Sequence, residues 1–369
     1  MRQLGLAHLV YPGATHSRFE HALGAYHLAR TTLQILRDEG QLDSTAAGDA
    51  NLVRMAALLH DVGHYPFSHA LEEIGIAHHE DVAEPLITGG EIGGLLRGEF
   101  GAGAPARVLA LIRGASDSPL GGLISGSIDL DKIEYLKRDA LMCGVPYGEI
   151  DVDRLINALV VVNDPTSGRP TIGVNDKALS ALESLLFAKY QMYRNVYWHH
   201  AVRSATAMYK RLVADAIAAH ALDPAQLVAF TDEGLLAELR RAAPSRLLDG
   251  LQRRALWKRA AECPAAELAD RDLEWINADR TRTRALEDDL AKRHGLGPGD
   301  VLIDFPAKTQ MLDLRLPVRL RDGSVVPLTN EGLPGAVNLP RLADEFYTSA
   351  RWLRVFARER IAVRLSDVR

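Results

Sequence analysis

The stretch LLHDVGHYPFSHA, residues 58–70, brings three histidines and one aspartate into ten positions: His60, Asp61, His64 and His69. The chain has 13 histidines among 369 residues, so this local density needs a reason. Apolar and small residues at 55–59 precede the His–Asp pair, and Gly63 follows it. This pattern predicts that the pair lies at the end of a buried helix.

An imidazole beside a carboxylate suits a divalent cation such as Mn, Fe, Mg, Zn, Co or Ni. Adjacent side chains on a helix diverge by about 100°, so both reach one ion most easily where the helix ends. Two ligands are too few for a stable site. The stretch therefore predicts part of a metal site that other helices complete.

Two other segments offer the missing ligands. In THSRFEHALG, residues 15–24, His21 follows Arg18 by three positions, so both lie on one helix face. In SIDLDKIEYLKRD, residues 127–139, Asp131 stands directly before Lys132. A metal site flanked by an arginine and a lysine suits a phosphate substrate, because the cations neutralise its charge while the metal polarises a water molecule.

The order H…HD…D resembles the signature of the HD superfamily of metal-dependent phosphohydrolases. The segments YPGATHSRFEHALG, LLHDVGHYPFSHALE, HHED and IDLDKIEYLKRD resemble its deoxynucleoside triphosphate triphosphohydrolase branch, over about residues 1–215. The resemblance implies that one divalent metal ion is bound by His21, His60, Asp61 and Asp131. Asp129 competes with Asp131, but the family pattern favours the aspartate directly before the lysine, so we expect Asp129 to cap the helix.

The resemblance also implies an acid–base group. His69 and Glu72 are three residues apart, so the carboxylate can hold the imidazole in one tautomer. His69 is then the general acid for the leaving 5′-oxygen, with Glu72 orienting it, and His64 and His79 line the phosphate site. The alternative is that His69 and Glu72 form an ordinary surface pair on a helix.

Seven further residues are assigned to the substrate by the same resemblance. Arg18 and Lys132 would clasp the triphosphate, while Tyr135 and Asp139 would pack on the sugar and bind its 3′-hydroxyl. Lys189 and Arg194 would contact phosphate, and Tyr197 would exclude a 2′-hydroxyl. The alternative for the tyrosines is packing along a long helix.

The periodicity predicts a mainly α fold, with helices over 17–36, 50–60, 66–74, 129–143 and 177–219, and a β-hairpin over 162–174. Strands are expected at 301–306, 311–320, after the Asp322–Gly323 turn, and at 352–357. We therefore expect an HD-domain helical bundle over residues 1–221 and a smaller α+β C-terminal region over 222–369. In relatives the latter supports oligomer contacts and nucleotide activator sites. Relatives also carry a preceding helix that helps to recognise the base and sugar. We expect either that this chain lacks that helix or that its start codon has been assigned too late.

The amino-acid composition argues against several classes of binding partner and cellular environment. Lys plus Arg is 43 and Asp plus Glu is 48, giving a net charge of −5, which argues against nucleic acid as a partner. Two cysteines cannot build a disulfide framework, and no apolar run reaches the roughly 20 residues that span a bilayer. We expect a cytoplasmic homo-oligomer, a dimer or a tetramer, with a dNTP as substrate and a nucleotide activator as a candidate partner.

The predicted reaction is metal-dependent hydrolysis of a dNTP to deoxynucleoside and triphosphate. Another HD phosphoesterase activity, of a nucleotidase or a phosphodiesterase, stays open because the metal ligands alone do not choose the phosphoester. Two branches of the superfamily are disfavoured. Enzymes that act on guanosine tetraphosphate commonly carry HDxxED, where this chain has HDVGH. Cyclic-di-GMP phosphodiesterases need an HHExxDGxGYP-like segment, which this sequence does not contain. A regulator that binds nucleotides without turning them over is the alternative outside the enzymes.

Overall fold

A computed structural model describes residues 1–42, 44–268, 273–306, 316–328, 332–333 and 338–368. The fold is mainly α, as predicted. The helices are α1 Arg18–Asp38, α2 Ser44–Leu59, α3 His79–Thr88, α4 Gly90–Phe100, α5 Ala104–Ile112, α6 Gly122–Ser125, α7 Leu130–Cys143, α8 Val152–Ile156, α9 Leu179–Met192, α10 His200–Ala218, α11 Asp232–Ala242, α12 Arg246–Gln252, α13 Trp275–Ala278, α14 Arg280–Arg293 and α15 Leu339–Ala350. The strands are β1 Leu159–Asn163, β2 Pro170–Asn175, β3 Lys258–Pro264, β4 Val301–Asp304, β5 Pro317–Arg319, β6 Val325–Pro327 and β7 Trp352–Ala357. Among the described residues, no helix combines the length and apolarity needed to cross a bilayer.

Helix α1 begins where its sequence signal predicts. The Ser17 side chain accepts a hydrogen bond from the Glu20 backbone, and the Glu20 carboxylate accepts one from Ser17 N at 2.6 Å. This capping box satisfies two backbone donors that a helix start would otherwise leave unpaired. Buried alanines at positions 25 and 29 let α1 pack closely against α2 and α7. The start of α1 and the end of α2 therefore lie beside α7.

Helix α7 also has the predicted ends. Asp129 caps it by accepting from Lys132 N at 2.8 Å, which confirms the expected role of Asp129. Gly144 ends the helix with φ 67°, a left-handed conformation that glycine adopts without a Cβ penalty. Asp131 consequently lies in the first turn of α7, facing the other candidate ligands.

The segment after the His–Asp pair differs from the single helix predicted over 66–74. It forms two short 3-10 turns, Ser68–Ala70 and Glu72–Ile74. Phe67 and Ser68 have φ values of 60° and 67°, which side chains other than glycine rarely adopt. Such a conformation persists only where surrounding contacts hold it.

The long helix predicted over 177–219 is wrong in its middle. Helix α9 ends at Met192, a π turn covers Tyr193–Tyr197, and α10 starts at His200. The turn is closed by Trp198 N donating to Tyr193 O at 2.8 Å, a spacing of five residues. Turns of this kind often occur at functional sites.

Two small sheets complete the described structure. The predicted hairpin is present as antiparallel β1 and β2, which continue through β5 to β6 in the order β1-β2-β5-β6. This sheet joins segments on both sides of residue 221, and the domain boundary at that residue stays a prediction. The second sheet has the order β3-β7-β4, and its strand β3 was not predicted. Of the strand predicted over 311–320, residues 317–319 form β5 and residues 311–315 lie outside the described residues.

Helix α10 connects the bundle to the second sheet. It packs on β4 and β3, and its Met208 and Leu212 share an apolar cluster with Leu302 and Phe356 of that sheet. The same cluster includes Phe67, which lies beside the segment with the two 3-10 turns. Helix α10 thus links the C-terminal sheet to that segment.

Candidate metal and substrate site

The four predicted metal ligands lie together where α1, α2 and α7 meet. Asp131 Oδ1 is 2.9 Å from His21 Nε2 and 3.4 Å from His60 Nε2. Asp61 Oδ1 is 3.5 Å from His60 Nε2, and Asp61 Oδ2 is 3.9 Å from His21 Nε2. Ligands that each lie about 2.1 Å from one ion are about 3.0–3.4 Å from their neighbours. His21, His60 and Asp61 are close enough together to hold one ion, and Asp131 lies against both histidines as the fourth candidate ligand.

The tautomers of the two histidines also fit a metal. His21 Nδ1 donates to Glu134 Oε2 at 2.5 Å, and His60 Nδ1 donates to Ala57 O at 2.9 Å. Since both partners can only accept, Nδ1 carries the proton in each ring and Nε2 is left for the ion. Metal-bound histidines are commonly oriented in this way. The two Nε2 atoms are 3.2 Å apart.

Electrostatics keep the carboxylates of the site charged. Burial alone raises the pKa of Asp61, but the charge of Arg18, with those of His60 and His64, holds it well below its ordinary value. Burial alone lowers the pKa of His21, but hydrogen bonds to the carboxylates of Asp131 and Glu134 raise it to about 10. A proton on His21 thus occupies the position that a metal ion would take.

A second cluster lies beside the first and contains all four residues predicted for catalysis. Glu72 Oε1 accepts from His79 Nδ1 at 2.7 Å, and Glu72 Oε2 accepts from His69 Nδ1 at 3.1 Å. Burial alone raises the pKa of Glu72, but these two hydrogen bonds hold it far below its ordinary value. The His64 ring stacks on His79 with centroids 3.9 Å apart and planes 12° from parallel.

This second cluster suits proton transfer better than metal binding. Stacked rings direct their in-plane lone pairs along parallel planes, so His64 and His79 cannot both point at one ion. Burial, with the charge of Arg18, lowers the pKa of His64 well below its ordinary value and leaves the ring neutral. His69 is different, because 58% of its side chain is exposed and it borders a cavity while Glu72 holds its Nδ1.

The cavity has a volume of about 670 Å³ and reaches both clusters. Ten of the predicted residues line it: Arg18, Asp61, His69, Glu72, Asp131, Lys132, Tyr135, Asp139, Lys189 and Tyr197. The structure does not bring Arg194 to this cavity, since its side chain is exposed and its Nη1 donates to Tyr190 Oη at 2.7 Å.

Three cations stand on the cavity wall near the metal ligands. Arg18 forms an ion pair with Asp61 and donates to Ser68 Oγ at 2.6 Å. Lys132 Nζ donates to the backbone carbonyl of Gly126 at 3.0 Å and forms an ion pair with Asp129, the N-cap of α7. Lys189 is buried, and burial together with the charge of Lys132 lowers its pKa to about 7. An anionic ligand beside Lys189 would favour its charged form.

Aromatic and carboxylate side chains line another part of the cavity. Tyr197 Oη donates to Asp139 Oδ2 at 2.7 Å, and His16 Nε2 donates to Asp139 Oδ1 at 2.8 Å. The Tyr135 ring packs edge-on against Tyr197. Burial raises the pKa of Asp139.

Comparison with known proteins places the chain in a family. Residues 18–120 match the HD domain, and residues 150–331 match the HD associated region. The chain belongs to the HD superfamily of phosphohydrolases. In this HD phosphohydrolase, three of the predicted metal ligands fall inside the matched HD domain, and Asp131 lies between the two matched regions.

Individual relatives give the same result. The HD phosphohydrolase is 33% identical over 308 residues to the uncharacterized protein MJ1154 of Methanocaldococcus jannaschii, across 83% of this chain and 62% of that protein. It is 27% identical over 326 residues to a deoxynucleoside triphosphate triphosphohydrolase SAMHD1 homolog of Dictyostelium discoideum, across 82% of this chain and 60% of that protein. It thus spans about three fifths of the length of these two relatives. A crystal structure of a phosphohydrolase from Bacteroides thetaiotaomicron has the same fold, with a TM-score of 0.74 and 21% identity over 97% of this chain and 92% of that one.

The structure adds residues that the sequence analysis missed. Glu134 holds His21 and is itself held by Arg138 Nε at 2.6 Å. Its position three residues after Asp131, on the same face of α7, was the available signal. A Cβ atom at Gly24 would collide with the Glu134 carboxylate, so glycine at this position makes room for it.

Other missed residues border the cavity or hold its walls. Residues 3–7 line the cavity, although we assigned no role to this stretch. His78 also lines it, and its Nε2 lies 3.6 Å from Glu72 Oε2. His16 is buried and orients Asp139.

Proposed function

We propose that this HD phosphohydrolase cleaves deoxynucleoside triphosphates to deoxynucleoside and inorganic triphosphate. The observation that carries the proposal is the cavity itself. Its wall joins the metal ligands to three cations, Arg18, Lys132 and Lys189, which offer charge for more phosphate than a monoester carries. The similarity to a protein named a deoxynucleoside triphosphate triphosphohydrolase, at 27% identity, is consistent with this substrate.

Each group has a defined task in this proposal. A divalent ion held by His21, His60, Asp61 and Asp131 would supply Lewis acidity at the α-phosphate. The cations bind and neutralise the phosphate oxygens. Water attacks the α-phosphorus, and the bond between that phosphorus and the 5′-oxygen breaks. His69 Nε2 gives its proton to the leaving 5′-oxygen, and the proton lost by the attacking water passes to solvent.

Glu72 and the tyrosines complete the proposed arrangement. Glu72 accepts from His69 Nδ1, which fixes the orientation of the ring. Tyr135 and Tyr197 would pack on the sugar, leaving little room for a 2′-hydroxyl.

A product assay tests the reaction. Purified protein is incubated with dNTPs, NTPs and deoxynucleoside monophosphates in the presence of Mn, Fe, Mg, Zn, Co or Ni, and the products are separated by ion-exchange chromatography. We expect deoxynucleoside and triphosphate from dNTPs. Pyrophosphate plus monophosphate would show attack at a different bond, and hydrolysis of monophosphates alone would favour a nucleotidase.

Lys132 offers a matched comparison on one helix. Lys132→Met should raise KM for the triphosphate, because the variant removes a cation from the cavity wall. Lys137→Met removes an exposed lysine from the same helix and should leave KM unchanged. Equal effects of the two variants would contradict a triphosphate contact at Lys132.

The family resemblance also suggests how the protein assembles and how it is regulated. We propose a cytoplasmic homo-oligomer, activation by a nucleotide, and a role for residues 222–369 in oligomer contacts or regulation. Light scattering of the purified protein, with and without dNTPs, measures the oligomeric state and its response to nucleotide. A monomer under both conditions would contradict the first proposal.

A further inference from the structure

Glu72 and Glu73 are adjacent in the second 3-10 turn but bind different partners. Glu72 accepts from two histidines of the proton-transfer cluster, whereas Glu73 accepts from Arg203 and Lys210 of α10. The backbone that carries both residues follows two left-handed residues, so neighbouring structure must hold it. What binds Glu73 therefore affects where Glu72 lies.

Glu73 belongs to a buried group of four charges that ends in the C-terminal sheet. Arg203 Nη1 and Nη2 donate to the two oxygens of Glu73 at 3.1 and 2.9 Å. The same guanidinium donates to Asp304 of β4, from Nε at 2.9 Å and from Nη2 at 2.6 Å. Lys210 Nζ donates to Glu73 at 2.7 Å and to Asp304 at 3.3 Å. Two cations and two carboxylates thus form a closed, neutral network.

Two members of the network border the cavity, and both are engaged within it. Arg203 donates to carboxylates from its Nε and both Nη atoms, and both oxygens of Glu73 accept from Arg203 or Lys210. Asp304 is fully buried, and although burial alone raises its pKa, the charges of Arg203 and Lys210 lower it. Removing one member would leave an unbalanced charge in the interior, so the four side chains hold each other in one arrangement.

We propose that the Glu73–Arg203–Lys210–Asp304 network positions Glu72, and through Glu72 the general acid His69. Strand β4, far from the metal ligands in sequence, then contributes a positioning residue, Asp304, to the reaction. The proposal rests on the proposed function in so far as His69 is the proton donor.

Asp304→Asn is the main test, because it keeps the shape of the side chain and removes its charge. We expect kcat for dNTP hydrolysis to fall by about 10–100-fold, the usual cost of losing a supporting contact, while KM and metal content change little. The double variant Lys210→Met/Asp304→Asn removes one charge of each sign and keeps the network neutral. It should show the same loss of kcat, and it tests the proposal even where Asp304→Asn does not fold.

Glu287→Gln is the matched control. Glu287 is buried, pairs with Arg211 of the same helix α10 at 2.9 Å, and accepts from Ile303 N of the same strand. Its two donors, Arg211 and Ile303 N, differ from the two donors of Glu73, which are Arg203 and Lys210. Glu287→Gln should lower the melting temperature and leave kcat unchanged.

Histidine NMR gives a readout that does not depend on activity. In protein labelled with ¹³C-histidine, the Cε1–Hε1 signals of His69 and His79 are assigned with His69→Gln and His79→Gln variants. We expect both signals to shift or broaden in Asp304→Asn and in the double variant, and to stay in place in Glu287→Gln. Unchanged signals and unchanged kcat in the network variants, with only a lower melting temperature, would overturn the proposal. If the wild-type protein releases no triphosphate, the proposed function fails, but the NMR comparison still reports whether Asp304 positions the two histidines.

Discussion

His21 Nε2 and His60 Nε2 lie 3.2 Å apart, although the Nδ1 atom of each ring already donates to an acceptor. Two neutral rings arranged this way turn their lone pairs toward each other, so a cation must lie between them. The nearby carboxylates favour positive charge at this position: burial alone lowers the pKa of His60, but Asp61 and Asp131 raise it to about 9. A divalent ion held here would supply that positive charge.

Removal of a ligand should abolish metal binding and activity together. His60→Ala deletes one Nε2 donor and leaves three side chains with the wrong geometry for a tight site. We expect metal analysis of the purified variant to find a small fraction of the wild-type content, with activity lost in proportion. His27→Ala, which removes an exposed histidine of α1, is the control and should keep its metal. A fully metallated His60→Ala protein would remove His60 from the site.

Removal of the general acid should separate turnover from metal binding. His69→Ala should keep the metal and slow kcat by about 10²–10⁴, the usual range for a lost acid–base group. Glu72→Gln should give a smaller defect, because the imidazole remains while its orienting carboxylate loses its charge. His78→Ala is the control, since His78 also lies near Glu72 but has no proposed proton to transfer. Near-normal turnover of His69→Ala would leave His64 or His79 as the donor.

The carboxylate behind His21 should set metal affinity. Glu134→Gln keeps a hydrogen-bond acceptor but removes the charge that favours the Nδ1 proton of His21, so we expect metal affinity to fall by about 10–100-fold. Arg138→Met should give a smaller loss, because Glu134 then lacks its own donor. Competition with a chromogenic chelator measures both constants. Glu149→Gln, an exposed position, should match the wild-type protein, and an equal loss there would point to a non-specific effect.

The sequence predicted those parts of the fold that local signals determine. The capping box at Ser17, the Asp129 cap and the Gly144 end fix α1 and α7, and each depends on residues within four positions of the helix end. These two helices and the end of α2 bring the four candidate ligands together. Local patterns determined where these helices begin and end, whereas the family resemblance identified the four side chains that meet.

The sequence could not predict structure that depends on distant partners. The left-handed pair at Phe67 and Ser68 is held by Asp232 Oδ1, which accepts from Phe67 N at 2.9 Å, and by Tyr209 Oη, which donates to Pro66 O at 3.1 Å. These partners are more than 140 positions away in sequence. No pattern within a short window contains them, so the segment was predicted as an ordinary helix. The link from Asp304 of β4 to the cluster of His69, Glu72 and His79 could not be predicted for the same reason, since it joins residues far apart along the chain.

The last prediction concerns stability at low pH. Burial alone raises the pKa values of Glu73 and Asp304, but the charges of Arg203 and Lys210 lower both below their ordinary values. An unfolded Asp or Glu has a pKa of about 4. The network therefore stabilises the folded protein fully above about pH 4, and this contribution is lost as the pH falls through the lower pKa values of the folded state.

Melting curves of the wild-type protein and Asp304→Asn, recorded from pH 7 to pH 3, measure the effect. The wild-type protein should be the more stable at pH 7, and the gap should narrow below about pH 4. A gap that stays constant or widens on acidification would show that these carboxylates are not held in the charged form.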